Sequence, residues 1–423
     1  MREKLTVWAL AFCAMSVWAA LPHVDQDDVT LVQDSVSHLV TVTYTLRNAS
    51  AVVTLDIQTN VTGAAEGPWA SIGAVNFRTA EGAVNRVVRE VGVPQTITWK
   101  PYVSWPGGRY TDGRVRAVVT AWATNAPPDY MVVDLTRTNT VNFYVTADAL
   151  PGGDVTNDLY RTDHLVMRKV HGAGAMFRMG GLASDDPNSA AYEIPHLVTL
   201  TNDYYLSVFT VTKQQYWRIM GGTQPSATDA VFPQTSISWN GTRGNTSWPS
   251  AGDFATAHAV GSGTFFDKLR RHAGLDWFDF ATEACWEFAC RAGTDYPAYC
   301  GQLDQTRLAK IAWYQENNPD GRMTPYAVGQ LEPNAWGFYD MLGNGWELCL
   351  DWLSMNANYS DGSAVVEPVG CVKSASVSNK RTVRGGAVNM PQYGMRSAYR
   401  NGAGETQVNE RYVIRLWHHA VVR

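Results

Sequence analysis

At 423 residues the chain is longer than one domain usually runs and predicts two or three, each able to bury its own core, which excludes a small disulfide-stapled scaffold. Its 34 basic and 39 acidic residues give a net charge of −5 with no basic run. Nothing in it attracts a phosphate backbone over distance, which argues against nucleic acid as a partner.

The chain opens "MREKLTVWALAFCAMSVWAALPH", with Arg2 and Lys4 ahead of an apolar run from Leu5 to Ala20 and small residues Val17 and Ala19 at the −3 and −1 positions of a cleavage site. That pattern predicts a secretory signal over residues 1–20, cut near Ala19, and an exported protein in the periplasm, at the cell surface or outside the cell. The apolar run, about 16 residues, is short for a membrane span, so no span is expected once the signal is removed. Phe12 before Cys13 argues against a lipoprotein box, which needs a small residue there.

From Leu39 to Gln58 apolar and polar residues alternate with period two: Val40, Val42, Tyr44 and Leu46, then Val53, Leu55 and Ile57. Half-buried antiparallel strands follow from that period. With "QTITWKPYVSW", "GRVRAVVTAWAT", "DYMVVDLT" and "TVNFYVTA" they predict an all-β sandwich of immunoglobulin or fibronectin type over residues 25–149, with no chemical motif in it. The Gly-rich "LPGGDVTND" reads as a linker over 150–160, and a second domain runs from 161 to 423.

The second domain is rich in Trp, Gly, Tyr and Asn and holds one convincing amphipathic helix, "ATEACWEFACRAG". Thr282 is a good N-cap, although Cys285 stands where Glu would close a capping box. Trp286, Ala289 and Cys290 share one face and read as core, and Gly293 as the stop. A domain of this texture builds its core from aromatics held by irregular loops, and its loops are where binding surfaces form. Five cysteines follow the signal: Cys285, Cys290, Cys300, Cys349 and Cys371. In an exported protein some are expected to pair, and the odd count leaves at least one over. Cys285 and Cys290 point to different helix faces, and the lack of a CxxC pair argues against zinc.

Six segments in order resemble the sulfatase-modifying-factor family, whose namesake is the formylglycine-generating enzyme. They are "MFRMGG" with the "EIPHLVTLTNDYYLSVFTVTKQQYWRIMGGTQPS" that follows, "FPQTSISWN", "DFATEACWEFACRAG", "IAWYQENN", "EPNAWGFYDMLGNGWELCLDW" and "TVRGGAVNMPQYGMRSAYRN". The resemblance covers roughly 250 residues and implies an α+β domain of C-type-lectin-like fold with much irregular structure. It also implies a calcium loop at Asn344, Gly345 and Glu347, with Asn317 near a second site, since an amide, a carbonyl and a carboxylate supply the hard oxygens calcium takes. The alternative is that these side chains only satisfy nearby backbone groups in dense turns.

In active members of the family, two cysteines between the last Gly-Gly and the following Arg bind copper, for which soft thiolates are the right ligands. Between Gly386 and Arg396 this chain reads "AVNMPQYGM", with no cysteine and too few residues for a shifted alignment to supply one. Met390 and Met395 could offer thioethers, but a Met is more often a gap filler. Copper oxidase activity is therefore not expected, although a formylglycine-generating oxidase stays the rival reading. The iron-dependent sulfoxide synthases, which pair this fold with a histidine-bearing helical domain, are not matched, and no GxSxG elbow appears.

What the resemblance leaves is a display scaffold like that of bacterial variable proteins, whose variable positions fall in this final segment. The expected activity of this chain is binding a protein or glycan ligand at the cell surface or outside the cell. Asn389, Gln392, Tyr393, Tyr399, Asn401, Glu405, Gln407 and Asn409 are the expected ligand contacts, with a solvated polar loop as the alternative for each. Arg384, Arg396, Arg400 and Arg415 fit ion-pair partners as well as contacts. "YVIR" departs from the family's usual Ile-Gly-Phe-Arg, which puts the packing of the last strand in question.

Overall fold

The computed structural model describes residues 20–422 apart from 61, 63–66, 109–112, 182–192, 245–258, 355–363, 369, 372 and 374–375. The expected secretory signal therefore lies outside the described residues. No helix among those described is long and apolar enough to cross a membrane.

Residues 23–123 form two antiparallel sheets. One orders His23–Val24, Val40–Arg47, Pro94–Trp99 and Glu81–Gly82, with Thr30–Gln33 added against Val40–Arg47, and the other gathers Trp69–Ser71, Arg86–Val88 and Val115–Ala123 about Ala51–Asn60. The period-two pattern has the predicted effect. Val40, Val42, Tyr44 and Leu46 are buried between half-exposed threonines, and they join Val53, Leu55, Ile57, Ile97, Trp99 and Val119 in one core.

The expected boundary near residue 149 is displaced. Tyr130–Asp134 and Val141–Tyr144 pair with each other, and Tyr130–Asp134 pairs with His164–Val170. They thereby open a six-stranded sheet that continues through Tyr204–Ser207 and Leu416–His419 to Asp279–Phe280. Alternation tells that Met131, Val133 and Phe143 point inward; it does not tell which sheet they join. Nor is 150–160 a free linker. Leu150 and Tyr160 are fully buried with Val132, Val166, Phe209 and Val328, and the Tyr160 hydroxyl donates to the Pro151 carbonyl. The first unit is also docked: Val52 and Trp122 pack on the larger core, and the Phe143 amide donates to the Asn85 carbonyl at 2.7 Å.

The helix Glu283–Arg291 follows the sequence reading closely. Thr282 Oγ1 accepts from the Cys285 amide, all nine residues are buried, and the chain leaves through left-handed Ala292 and Gly293. Beside it lies a four-stranded sheet in the order Arg400–Gly404, Lys380–Arg384, Trp346–Trp352, Tyr412–Val413, whose last pairing is parallel. "YVIR" thus supplies a short strand and then buried Ile414 and Arg415, which hands the chain on to Leu416–His419 in the six-stranded sheet.

Candidate functional site

The closing segment is held by arginines paired with buried carboxylates, three of them buried and Arg400 half-buried. Arg384 pairs with Glu287 and lies 3.4 Å from Glu283; Arg396 meets Glu193 at 3.0 Å, Arg400 meets Glu283 at 2.6 Å, and Arg415 grips Glu347 at 2.6 and 2.7 Å. All four are therefore framework rather than ligand contacts. Burial would push the Glu287 carboxyl up, but Arg291 and Arg384 overcome it and hold it below the ordinary value. A charge removed from water is tolerated only where such partners meet it.

The proposed calcium ligands do not fit the ion. Asn344 Oδ1 accepts from the Tyr326 amide at 2.7 Å while its amide nitrogen donates to the Tyr326 carbonyl. Both Glu347 oxygens face the Arg415 guanidinium, and the Trp286 indole N–H adds a bond of 2.6 Å. Calcium wants free oxygens, and a guanidinium on the same carboxylate repels it. Gly345 is needed for packing: a Cβ there would stand 2.6 Å from Val413 Cγ1. Asn317 closes its own turn, accepting from the Tyr314 amide and donating to the Ala312 carbonyl.

The eight expected ligand contacts separate into two groups. Gln392 donates to the Leu303 carbonyl, and Gln407 Oε1 accepts from the Gly404 amide and the Tyr412 hydroxyl, so both brace loops. Glu405 pairs with Lys373 and with Arg381, whose guanidinium lies between Trp352 at 3.6 Å and Trp239 at 3.9 Å. Glu405→Gln is accordingly expected to lower stability by about 1.5–3 kcal/mol, since it weakens a charge-assisted bond to a buried arginine. Chemical denaturation would read this, and an unchanged midpoint would return Glu405 to the ligand group.

The second group converges. Asn389, Asn401 and Asn409, from three separate stretches of chain, line one depression of about 210 Å³ with Trp346, Val383, Met390, Gly402, Arg411 and Tyr412. Tyr399 lies tilted against Trp346 with ring centroids 5.9 Å apart, and exposed Tyr393 meets Tyr399 edge-on at the same spacing. Asn389 Oδ1 is buried and accepts no hydrogen bond. A buried acceptor without a donor is costly, and binding sites are one place where proteins keep them. The sequence reading missed Trp346, Arg411 and Tyr412. Arg411 alone had a local signal, because its amide bonds Asn409 Oδ1 two residues back.

Cys285, Cys290, Cys300, Cys349 and Cys371 are all free thiols, so the expected pairing is not found. Burial pushes the Cys290 thiol up to about 12 and those of Cys285 and Cys349 well above their ordinary value. Where the resemblance places the copper cysteines, this chain has half-buried Asn389 and Met390, while Met395 is fully enclosed in the core. That donor set does not fit a two-thiolate Cu(I) site.

Fold and site together define a mixed α+β domain, mostly strands and irregular loops, whose closing segment is clamped by buried Arg–carboxylate pairs. Residues 165–420 match the family model described as the sulfatase-modifying factor enzyme 1-like domain, and the chain belongs to that family. The formylglycine-generating enzyme of Thermomonospora curvata is 26% identical over 182 residues, 41% of this chain and 50% of that protein. The enzyme of the same name from Streptomyces coelicolor is 25% identical over 255 residues, 58% of this chain and 67% of that protein. The chain thus spans about half the length of the first of these curated relatives and 67% of the second. Among solved structures, Treponema denticola variable protein 1 is 22% identical with a TM-score of 0.45, covering 60% of this chain and 95% of that one.

Proposed function

We propose that this protein is an exported, non-catalytic member of its family that binds a protein or glycan ligand in the depression of its closing segment. The observation that carries the reading is the convergence of Asn389, Asn401 and Asn409 on one depression floored by Trp346, with the buried Asn389 Oδ1 left without a donor. The residues that line it include an amide trio, aromatics and one arginine, and no thiol, histidine or carboxylate that could serve as nucleophile or base.

The rival reading, a formylglycine-generating oxidase that converts a sulfatase cysteine, rests on the names of the curated relatives. The two separate in one experiment on the full chain. After loading with Cu(I), a cysteine-bearing sulfatase peptide is followed for aldehyde by mass spectrometry, and the same protein is applied to glycan and surface-protein arrays. No aldehyde together with array binding is the expected result. Aldehyde formation at catalytic turnover would replace the binding reading with the oxidase.

A further inference from the structure

The depression has a hydrogen-bonding polarity that selects among ligand classes, and this step rests on the binding reading above. Asn401 Oδ1 is committed to the Gly402 amide at 2.8 Å and Asn409 Oδ1 to the Arg411 amide at 2.9 Å. Each carboxamide therefore keeps its NH2 as the group left to bind, and neither NH2 reaches another described residue. Arg411, partly neutralised by Glu410 at 3.1 Å, adds donors at the rim. Asn389 Oδ1 adds a buried acceptor that takes no hydrogen bond within the protein. Trp346, Val383, Met390 and Tyr412 supply the apolar floor.

We infer that the depression holds one neutral sugar ring, and holds it without calcium. Adjacent ring hydroxyls both accept and donate, so one pair can take the Asn401 and Asn409 amide protons and give a proton to Asn389 Oδ1. The C–H groups of the same ring meet half-buried Met390 and the small open edges of Trp346 and Tyr412, which are 6% and 5% exposed. A carboxylate or sulfate would bring only acceptors and set its charge against Asn389 Oδ1. The space admits one ring and no bulky branch. The residues that line the depression include no carboxylate to hold calcium, and the carboxylate of Glu347 is taken by Arg415.

The test uses the full chain in EDTA with methyl glycosides of glucose, galactose, mannose and N-acetylglucosamine, read by saturation-transfer NMR and titration. Asn401→Asp and Asn409→Asp keep the oxygen that bonds the backbone and replace the donating NH2 with an acceptor. Each is expected to weaken the bound glycoside at least tenfold with an unchanged melting temperature. Binding that needs calcium, or that survives both substitutions, overturns the inference. So does a panel that is ignored while a protein ligand is captured on the array, an outcome that leaves the binding reading intact. Aldehyde formation with no binder of either kind would remove both.

Discussion

Glu347→Ala is expected to destabilise the protein by about 3–5 kcal/mol, because it leaves a buried guanidinium without its counter-ion. Glu347 is 0% exposed and Arg415 1%. Beyond the carboxylate, Arg415 donates to the carbonyls of Ser207, Val208 and Tyr339 at 2.7–3.1 Å, so it ties the end of the chain to the strand Tyr204–Ser207 and to the loop before Trp346. The double change Glu347→Leu with Arg415→Met removes both charges and is expected to recover part of the loss, a coupling that a double-mutant cycle in urea would read. The same titrations with calcium or EDTA decide the metal question. Midpoints that do not move with calcium agree with a carboxylate held by arginine; a midpoint raised by calcium would show that the ion displaces Arg415 from Glu347.

How far the sequence carries can be judged residue by residue. The helix around Trp286 was legible down to its cap, since Thr282, the apolar face and the glycine stop are all local signals. The six ordered segments were enough to place the family. Four things were not legible, for one physical reason: each depends on partners distant in the chain. The strands Tyr130–Asp134 and Val141–Tyr144 alternate as sandwich strands do, but the edge they join is His164–Val170. Leu150 and Tyr160 sit in a glycine-rich stretch that composition marks as a linker, and only the side chains of Val166, Phe209 and Val328 make it core. Glu347 has the residue type and neighbours of a calcium ligand, and its role turns on Arg415, 68 residues away. Polar residues in the closing loop read alike in sequence, whereas in space Gln392, Glu405 and Gln407 brace the frame and Asn389, Asn401 and Asn409 line the depression.

The frame also carries a pH dependence, and Asp351 is its source. It stands 2% exposed at the start of the helix Glu283–Arg291, where Oδ2 accepts the Glu283 amide at 2.7 Å. Burial, then the neighbouring Glu283 carboxylate, push its pKa from 3.8 up to about 7, against the pull of that amide and of Arg400. A carboxyl raised on folding stabilises the native state fully below its unfolded value, and the contribution is lost as pH climbs toward the folded value. The contribution of this one group is therefore lost as pH rises from about 4 to about 7. Asp351→Asn resembles the protonated acid in shape, can still accept the Glu283 amide and does not ionise. It is therefore expected to match the wild type near pH 4 and to exceed it in stability at pH 8. Buried Asp340, pushed up to about 6, bends the curves of both proteins in the same sense and cancels in the comparison. Parallel denaturation curves for the two proteins across that range would mean that Arg400 and the helix amide keep Asp351 ionised, and that the cost of its burial is met by its partners.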